Sequence, residues 1–442
     1  MKYKNNKNIA IIITAILILF GIYYLFISKD TPEVQGKSQE IKSEANFKKD
    51  SIRDSSNNFT KEFIESALEV EDSTSQMITV SNYEDYTKQI AEDENAGKSS
   101  RIKYHGKRIN IAVTGVDSRL GTSSKHADAN HIISILADSG KIEIISIPRD
   151  TYADCGYDDT TGLNKLTVLR ALKGRSAYLK EIASIARLDK IHYYVEFGFS
   201  QAIGLIELMG NKNAVSTLRV LRSRTGLGGD DYQRVYNQAQ FIKQNILKNW
   251  DLANSFSGDL IIRTGLMLVE TNLTYDAVEE IKNGLKANAF GGNDDISIKV
   301  RPPIPIKYKI YELTDPNVIA SLSKKIDNFN KSHHKDTIKS LNINNYVSKK
   351  LLNDIESAKK ANYKGNAITR LNVYYDQKAW MQIENRQQRD SIRDLLCNTL
   401  IDYYTKRKNT GKINSINQYL ELEKSASKVN YNERNDHKQE NL

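Results

Sequence analysis

Charged residues that could grip an anion recur in this sequence just beside apolar runs. Asp117 and Arg119 follow "INIAVTGV", Asp128 precedes "HIISIL", and Arg149 and Asp150 follow "IEIISIP". A chain that only had to turn would use Gly, Asn or Ser where Arg149 and Asp150 stand. In "LRVLRSR", Arg222 and Arg224 are two apart, which on an extended segment turns both side chains to the same side. In "DDYQRVYNQ", Asp231, Arg234 and Gln238 have i, i+3, i+7 spacing and share one face of a helix. Guanidinium is planar, permanently charged and bidentate toward phosphate oxygens, so a convergence of these groups would suit a phosphate or pyrophosphate. Carboxylates beside such a ligand repel it unless a divalent cation lies between them. Mg²⁺ held by one or two carboxylates plus phosphate oxygens fits that need. The plainer reading is a set of surface ion pairs, each contributing little. Spacing alone does not separate the two.

The elements that would position these groups alternate along the chain. "INIAVTGVD" reads as a buried strand, and "HIISILADSGKIEIISIPRD" as two strands joined by a tight turn at Asp138–Gly140. "KLTVLRALKGRSAYLKEIASIARL" is helical in period, "IHYYVEF" strand-like, "GFSQAIGLIELMG" helical, and a long helix begins at "DDYQRVYNQ". Strands alternating with helices, including one hairpin, predict a three-layer α/β/α domain with a mixed central sheet over 105–330. In open sheets of this kind, ligands bind in the crevice beyond strand ends. Segment 331–442 is basic and rich in Lys, Asn and Ser. "ITRLNVYYD", with Leu371, Val373 and Tyr375 alternating, predicts a strand; "SIRDLLCNTLIDYY" puts Ile392, Leu396, Leu400 and Tyr403 on one helical face. A small α+β module is expected there, with an unstructured end.

The N-terminus carries an uncharged apolar run from Ile9 to Ile27, close to the roughly 20 residues a helix needs to cross a bilayer. Lys2, Lys4 and Lys7 precede it, so residues 1–28 read as a cytoplasmic N-terminus and retained single-pass anchor, with the rest of the chain extracytoplasmic. Residues 29–104 read as a polar linker with weak spacer helices. The chain has 442 residues and a net charge of +10, which favours acidic partners; the orientation of the anchor argues against nucleic acid. The two cysteines, Cys155 and Cys397, allow either one disulfide or two buried thiols, and no spacing suggests zinc.

The ordered series "NIAVTGVDSR", an Asp before the next strand, "SIPRDTY", "NKLT", "IHYYVEFGF", "RSR" and "DDYQRVYNQ" resembles the LytR-CpsA-Psr family, membrane-anchored enzymes of bacterial envelope assembly. The resemblance covers roughly 105–290, and the module after 331 gains nothing from it. It implies a phosphotransferase that moves a glycopolymer from a polyprenyl-pyrophosphate carrier to a peptidoglycan or other cell-wall hydroxyl, with a possible pyrophosphatase side activity. By position it assigns catalytic roles to Arg149, Asp117, Arg119, Asp231 and Arg234. Phosphate or lipid binding falls to Arg149, Lys165, Arg222, Arg224, Gln238 and His126, and Mg²⁺ or another divalent cation to Asp117 and Asp128. The partners implied are the lipid-linked glycopolymer, the peptidoglycan acceptor and the membrane.

The chain departs from the family pattern in three places. His126 stands where an Arg is usual, Asn237 replaces an Arg beside the helix Gln, and the segment 211–221 is short. Two rival readings follow: a polyprenyl-pyrophosphate phosphatase without polymer transfer, and a non-catalytic anchored protein that binds anionic lipid or polymer.

Overall fold

The computed structural model describes residues 78–80, 107–118, 120–121, 125–224, 226–227, 231–333, 343–362 and 366–439. The expected anchor, most of the linker and Arg119 lie outside them. Among the described residues, no helix is long and apolar enough to cross a membrane.

Six strands form one mixed sheet. They are β2 (Arg108–Val116), β3 (Ala127–Leu136), β4 (Lys141–Ser146), β5 (Tyr193–Phe197), β6 (Glu270–Thr271) and β7 (Ile296–Val300), in the order β6-β5-β2-β3-β4-β7. β2 runs parallel to β5, β4 parallel to β7, and β3 antiparallel to both of its neighbours. The carboxyl ends of β2, β4, β5 and β7 therefore share one edge with the amino end of β3. β1 (Ile78–Val80) pairs separately with β8 (Lys309–Tyr311). The hairpin between β3 and β4 turns where expected, closing on Gly140 at φ +61°, a conformation that favours glycine.

Alternation along β2 feeds two cores. Ile111 packs with Ile135, Ile142 and Ile144 under helices α4 (Asp231–Lys248) and α6 (Tyr275–Ala287). Ala112 packs with Ile132 and Ile145 under α1 (Leu166–Ile185). A sheet covered on both faces explains why its central strands read as near-continuous apolar runs. The remaining helices of more than four residues are α2 (Phe199–Leu208), α3 (Ala214–Arg222), α5 (Phe256–Leu268), α7 (Pro316–His333), α8 (Ile343–Lys360), α9 (Asn366–Asp376), α10 (Arg386–Lys406) and α11 (Thr410–Gln439).

Three local expectations are corrected. "TLRVLR" is not extended: Ala214, Thr217, Leu218 and Leu221 form the buried face of α3, an i, i+3, i+4, i+7 pattern that the Arg-x-Arg spacing obscures. "ITRLNVYYD" is helix α9 and not a strand, because the buried set is Ile368, Leu371 and Tyr374 at helical spacing. The described C-terminal elements are helical throughout, and α11 continues to Gln439 where an unstructured end was expected. These helices do not stand apart from the sheet domain. Leu371, Tyr374, Trp380, Leu396 and Tyr419 share one core with Leu268 of α5, and Leu205 and Leu208 of α2 pack against it.

Cys155 and Cys397 are both buried and free. The Cys155 thiol lies 3.4 Å from the Ala153 carbonyl and 3.5 Å from that of Lys165, positions a hydroxyl can also use. Cys155→Ser is therefore expected to change stability by less than about 1 kcal/mol. Reducing agent should not shift the unfolding midpoint of wild type, and a downward shift in a thermal melt with dithiothreitol would contradict the free-thiol assignment.

Candidate active site

The edge where β2 and β4 end and β3 begins carries the polar groups, and three segments hold them rigid. Beyond β4, Ile147 stays buried and donates its N–H to the Asn130 carbonyl at 2.9 Å. Pro148 then sets φ, so that Arg149 leaves the sheet at a fixed angle. The Arg149 carbonyl accepts from Thr167 N–H at 3.0 Å in the first turn of α1, and its own N–H donates to Asp231 Oδ2 at 3.3 Å. A backbone tied to a helix on each side of the sheet leaves the guanidinium little freedom except at its tip.

The side chains then converge. Arg149 Nη1 donates to Asp128 Oδ1 at 2.6 Å, and Arg234 Nη2 donates to the Asp128 carbonyl at 3.3 Å. Asp231 lies 2.7 Å from Arg234 Nη2 and 3.3 Å from Arg224 Nε. Asp150 sits among Lys165 Nζ at 3.5 Å, Arg149 Nε at 3.8 Å and Arg224 Nη2 at 3.9 Å. Arg149, Lys165, Arg224 and Arg234 thus surround three carboxylates, Asp128, Asp150 and Asp231, leaving an excess of positive charge. Burial raises the Asp231 carboxyl above its ordinary range against the pull of Arg234, and burial lowers Arg234.

The donors are not used up. Arg149 Nε, Arg224 Nη2 and Arg234 Nε are buried and have no hydrogen-bond acceptor. A buried guanidinium N–H left unmatched costs about 1–3 kcal/mol, and three of them in one cluster describe a place for an oxyanion.

Asp117 and His126 close the mouth of the loop between β2 and β3. His126 N–H donates to Asp117 Oδ1 at 2.9 Å, His126 Nδ1 lies 3.2 Å from Oδ2, and Asp117 N–H donates to the His126 carbonyl at 3.0 Å. Both Asp117 oxygens are thereby engaged, as is Asp128 Oδ1. These carboxylates fit a divalent cation only in company with a ligand's phosphate oxygens. Among the described residues, no group of three or more His, Cys, Asp or Glu side chains is gathered for a metal.

Two expected members stand outside the charge cluster. Arg222 is the last residue of α3, exposed, with its guanidinium 5.0 Å over the Phe199 ring; Arg224, beyond the helix end, joins the carboxylates. Arg224→Ala is accordingly expected to weaken phosphate binding about ten-fold and Arg222→Ala no more than about three-fold, as titration calorimetry would report. The Gln238 amide is spent internally: Oε1 lies 3.1 Å from His131 Nε2, and Nε2 donates to the Leu221 carbonyl at 2.9 Å. It fixes the end of α3 from which Arg224 emerges. Asn237 accepts from Gln233 Nε2 at 2.7 Å in a buried position, on the helix flank that also meets the Lys309 carbonyl.

Sequence reasoning missed two participants. Asp150 received no role among the assigned site residues, yet it meets three cations. His131, inside the apolar run "HIISIL", links Ser146 Oγ at 2.8 Å to Gln238. A lone histidine in a buried strand was the signal available for it.

Residues 74–211 match the model of the LytR_cpsA_psr family. That span includes Asp117, His126, Asp128, Arg149, Asp150 and Lys165, while Arg224, Asp231 and Arg234 follow it. No curated protein matches in sequence. Among solved structures, TagV of B. subtilis is similar at 17% identity over 51% of this chain and 99% of that one, with a TM-score of 0.38. TagT bound to LIIa-WTA is similar at 14% identity over 52% of this chain and 97% of that one, TM-score 0.35. A transcriptional regulator from Enterococcus faecalis is similar at 19% identity over 50% and 88%, TM-score 0.36.

Proposed function

We propose, on the premise that residues 74–211 are of the LytR_cpsA_psr family, that this chain transfers a glycopolymer phosphate from a polyprenyl-pyrophosphate carrier to a hydroxyl of peptidoglycan or another wall polymer. The observation that carries the proposal is the set of buried, acceptorless N–H groups on Arg149, Arg224 and Arg234, three arginines that share the carboxylates Asp128, Asp150 and Asp231. Phosphoryl transfer asks for positioning and for charge neutralisation of the transferred group, and half-buried, fixed guanidinium donors supply both. Arg149 and Arg224 would hold the pyrophosphate, Lys165 would add charge from the start of α1, and Asp150 and Asp231 would keep the three arginines apart and aligned. Arg234, pinned between Asp231 and the Asp128 carbonyl, would form the floor.

Asp117 and Asp128 would hold a divalent cation together with phosphate oxygens, where it would neutralise charge on the leaving polyprenyl phosphate. Asp117 and His126 border the opening through which an acceptor hydroxyl would arrive. Membrane attachment through residues 9–27 and an extracytoplasmic location belong to the same proposal, since a carrier lipid keeps its pyrophosphate at the bilayer surface.

The test is incubation of the full-length chain with a polyprenyl-pyrophosphate-linked saccharide, Mg²⁺ and peptidoglycan fragments, followed by mass spectrometry of the peptidoglycan. A phosphodiester-linked saccharide is the expected product. Release of free saccharide phosphate alone would favour hydrolysis, and no consumption of the lipid with saturable binding would favour a binding protein. Asp117→Asn is expected to lower turnover at least ten-fold with lipid affinity, measured without Mg²⁺, within about two-fold, because it leaves the arginines in place.

A further inference from the structure

We infer that Gln377 and Tyr374, in the C-terminal helical segment beyond the family match, are positioning residues for the loop that carries Asp117 and His126. The inference rests on reading that site as a phosphotransferase centre. The loop leaves β2 at Asp117 and returns at His126, and the three contacts between those residues close it like a clasp. A clasp fixes the two ends relative to one another and leaves open their tilt against the rest of the fold. That tilt is set from outside. Gly121 N–H donates to Gln377 Oε1 at 2.9 Å, across 256 residues of sequence. Gly121 has φ +75°, and a β-carbon there would lie 2.9 Å from Tyr374 Cε1, so the ring abuts the backbone itself. Leu120 packs into the C-terminal core beside it.

The brace has a stiff mounting. Tyr374 is fully buried, and its hydroxyl donates to Asp354 Oδ2 at 2.6 Å, with Arg370 Nη1 on the other oxygen at 2.8 Å. The same stretch of chain also holds the start of α2, next to the loop's first residues. Gln201 Nε2 donates to the Asp376 carbonyl at 3.1 Å while its Oε1 accepts from Gly198 N–H at 2.7 Å, and Gln382 Nε2 donates to Ser200 Oγ at 2.7 Å. Gly198 lies close against Ser118: a β-carbon there would fall 2.1 Å from Ser118 Oγ. Residues 374–382 thus hold both the loop and the helix turn that the loop leans on. The arginine cluster makes none of these contacts, so the brace acts on Asp117 and His126 and leaves the arginines in place.

The test compares full-length wild type, Gln377→Ala, Gln377→Glu and Gly121→Ala by amide hydrogen exchange, affinity for inorganic pyrophosphate without divalent cation, and turnover of a polyprenyl-pyrophosphate-linked saccharide with Mg²⁺. Gln377→Ala removes the acceptor, Gln377→Glu keeps an acceptor oxygen at the same reach, and Gly121→Ala pushes on the same contact from the other side. In Gln377→Ala and Gly121→Ala, exchange at Ser118, Gly121 and His126 should rise about ten-fold and turnover should fall about ten-fold. Pyrophosphate affinity should stay within about two-fold, and Gln377→Glu should restore exchange and turnover. The proposal is overturned if exchange at those amides is unchanged in Gln377→Ala, if Gln377→Glu is as impaired as Gln377→Ala, or if pyrophosphate affinity falls in step with turnover. A wild-type chain without turnover would remove the reading of the site, and the exchange and affinity arms would still decide the brace.

Discussion

Replacing Arg149 with Ala is expected to lower the affinity for a polyprenyl pyrophosphate by about 30- to 100-fold while leaving the fold intact. The first half follows from what the guanidinium offers. It holds a buried, acceptorless Nε on a backbone fixed by Thr167 and Asp231. A charge-assisted hydrogen bond held that rigidly contributes about 2–3 kcal/mol, and little of it is lost to ordering the side chain. The second half follows from where the side chain sits. Arg149 and Asp128 keep 28% and 24% of their side-chain surface exposed, so Asp128 can turn to water when its partner goes, at a cost of about 1 kcal/mol. Arg149→Lys should fall between, since it restores charge without the planar fork. Calorimetric titration beside a thermal melt separates the outcomes. Loss of the fold would make Arg149 a structural residue, and unchanged affinity would move the phosphate elsewhere.

The second large effect is on stability and is read by pH. His131 is buried between Ser146 and Gln238, and burial, helped by the nearby Arg234 charge, lowers its pKa from 6.5 to about 4. The Gln238 contact pulls the other way, by more than the Arg234 charge adds. Between those two values the unfolded chain binds a proton that the folded chain refuses. The stabilisation is therefore complete above pH 6.5 and is lost as pH falls toward 4, by about 2–3 kcal/mol in all. Asp231 acts in the opposite sense over a lower range, because its raised carboxyl takes up a proton more readily in the folded state. Urea unfolding of wild type and His131→Asn at pH 7 and pH 5 isolates the term. The wild type should lose more stability on acidification than the variant, and equal losses would show that His131 does not carry the dependence.

Both effects depend on one strand order. Asp128 and Arg149 are 21 residues apart, Arg149 and Asp231 are 82 apart, and His131 and Gln238 are 107 apart. They meet because β3 lies between β2 and β4 and because α4 crosses that part of the sheet. Local spacing suggested which residues belonged at strand ends, and Arg149, Asp128, Arg224, Asp231 and Arg234 do come together there. It could not tell Arg222 from Arg224, since the choice between an extended segment and α3 depends on what covers Leu218 and Leu221.

Sequence by itself determined the succession of elements in the sheet domain and which charged residues stand at its edge. Apolar runs of strand length, helical periods and glycine turns act within a few residues, and a guanidinium carries its chemistry wherever it is placed. Tertiary structure decided the rest. The same alternating apolar residues in "ITRLNVYYD" serve a helix because the neighbouring helices bury Ile368, Leu371 and Tyr374 together, and a face is buried only when a partner exists to cover it. The contact of Gln377 with Gly121 is likewise invisible in sequence, because a single hydrogen bond across 256 residues leaves no local period to read.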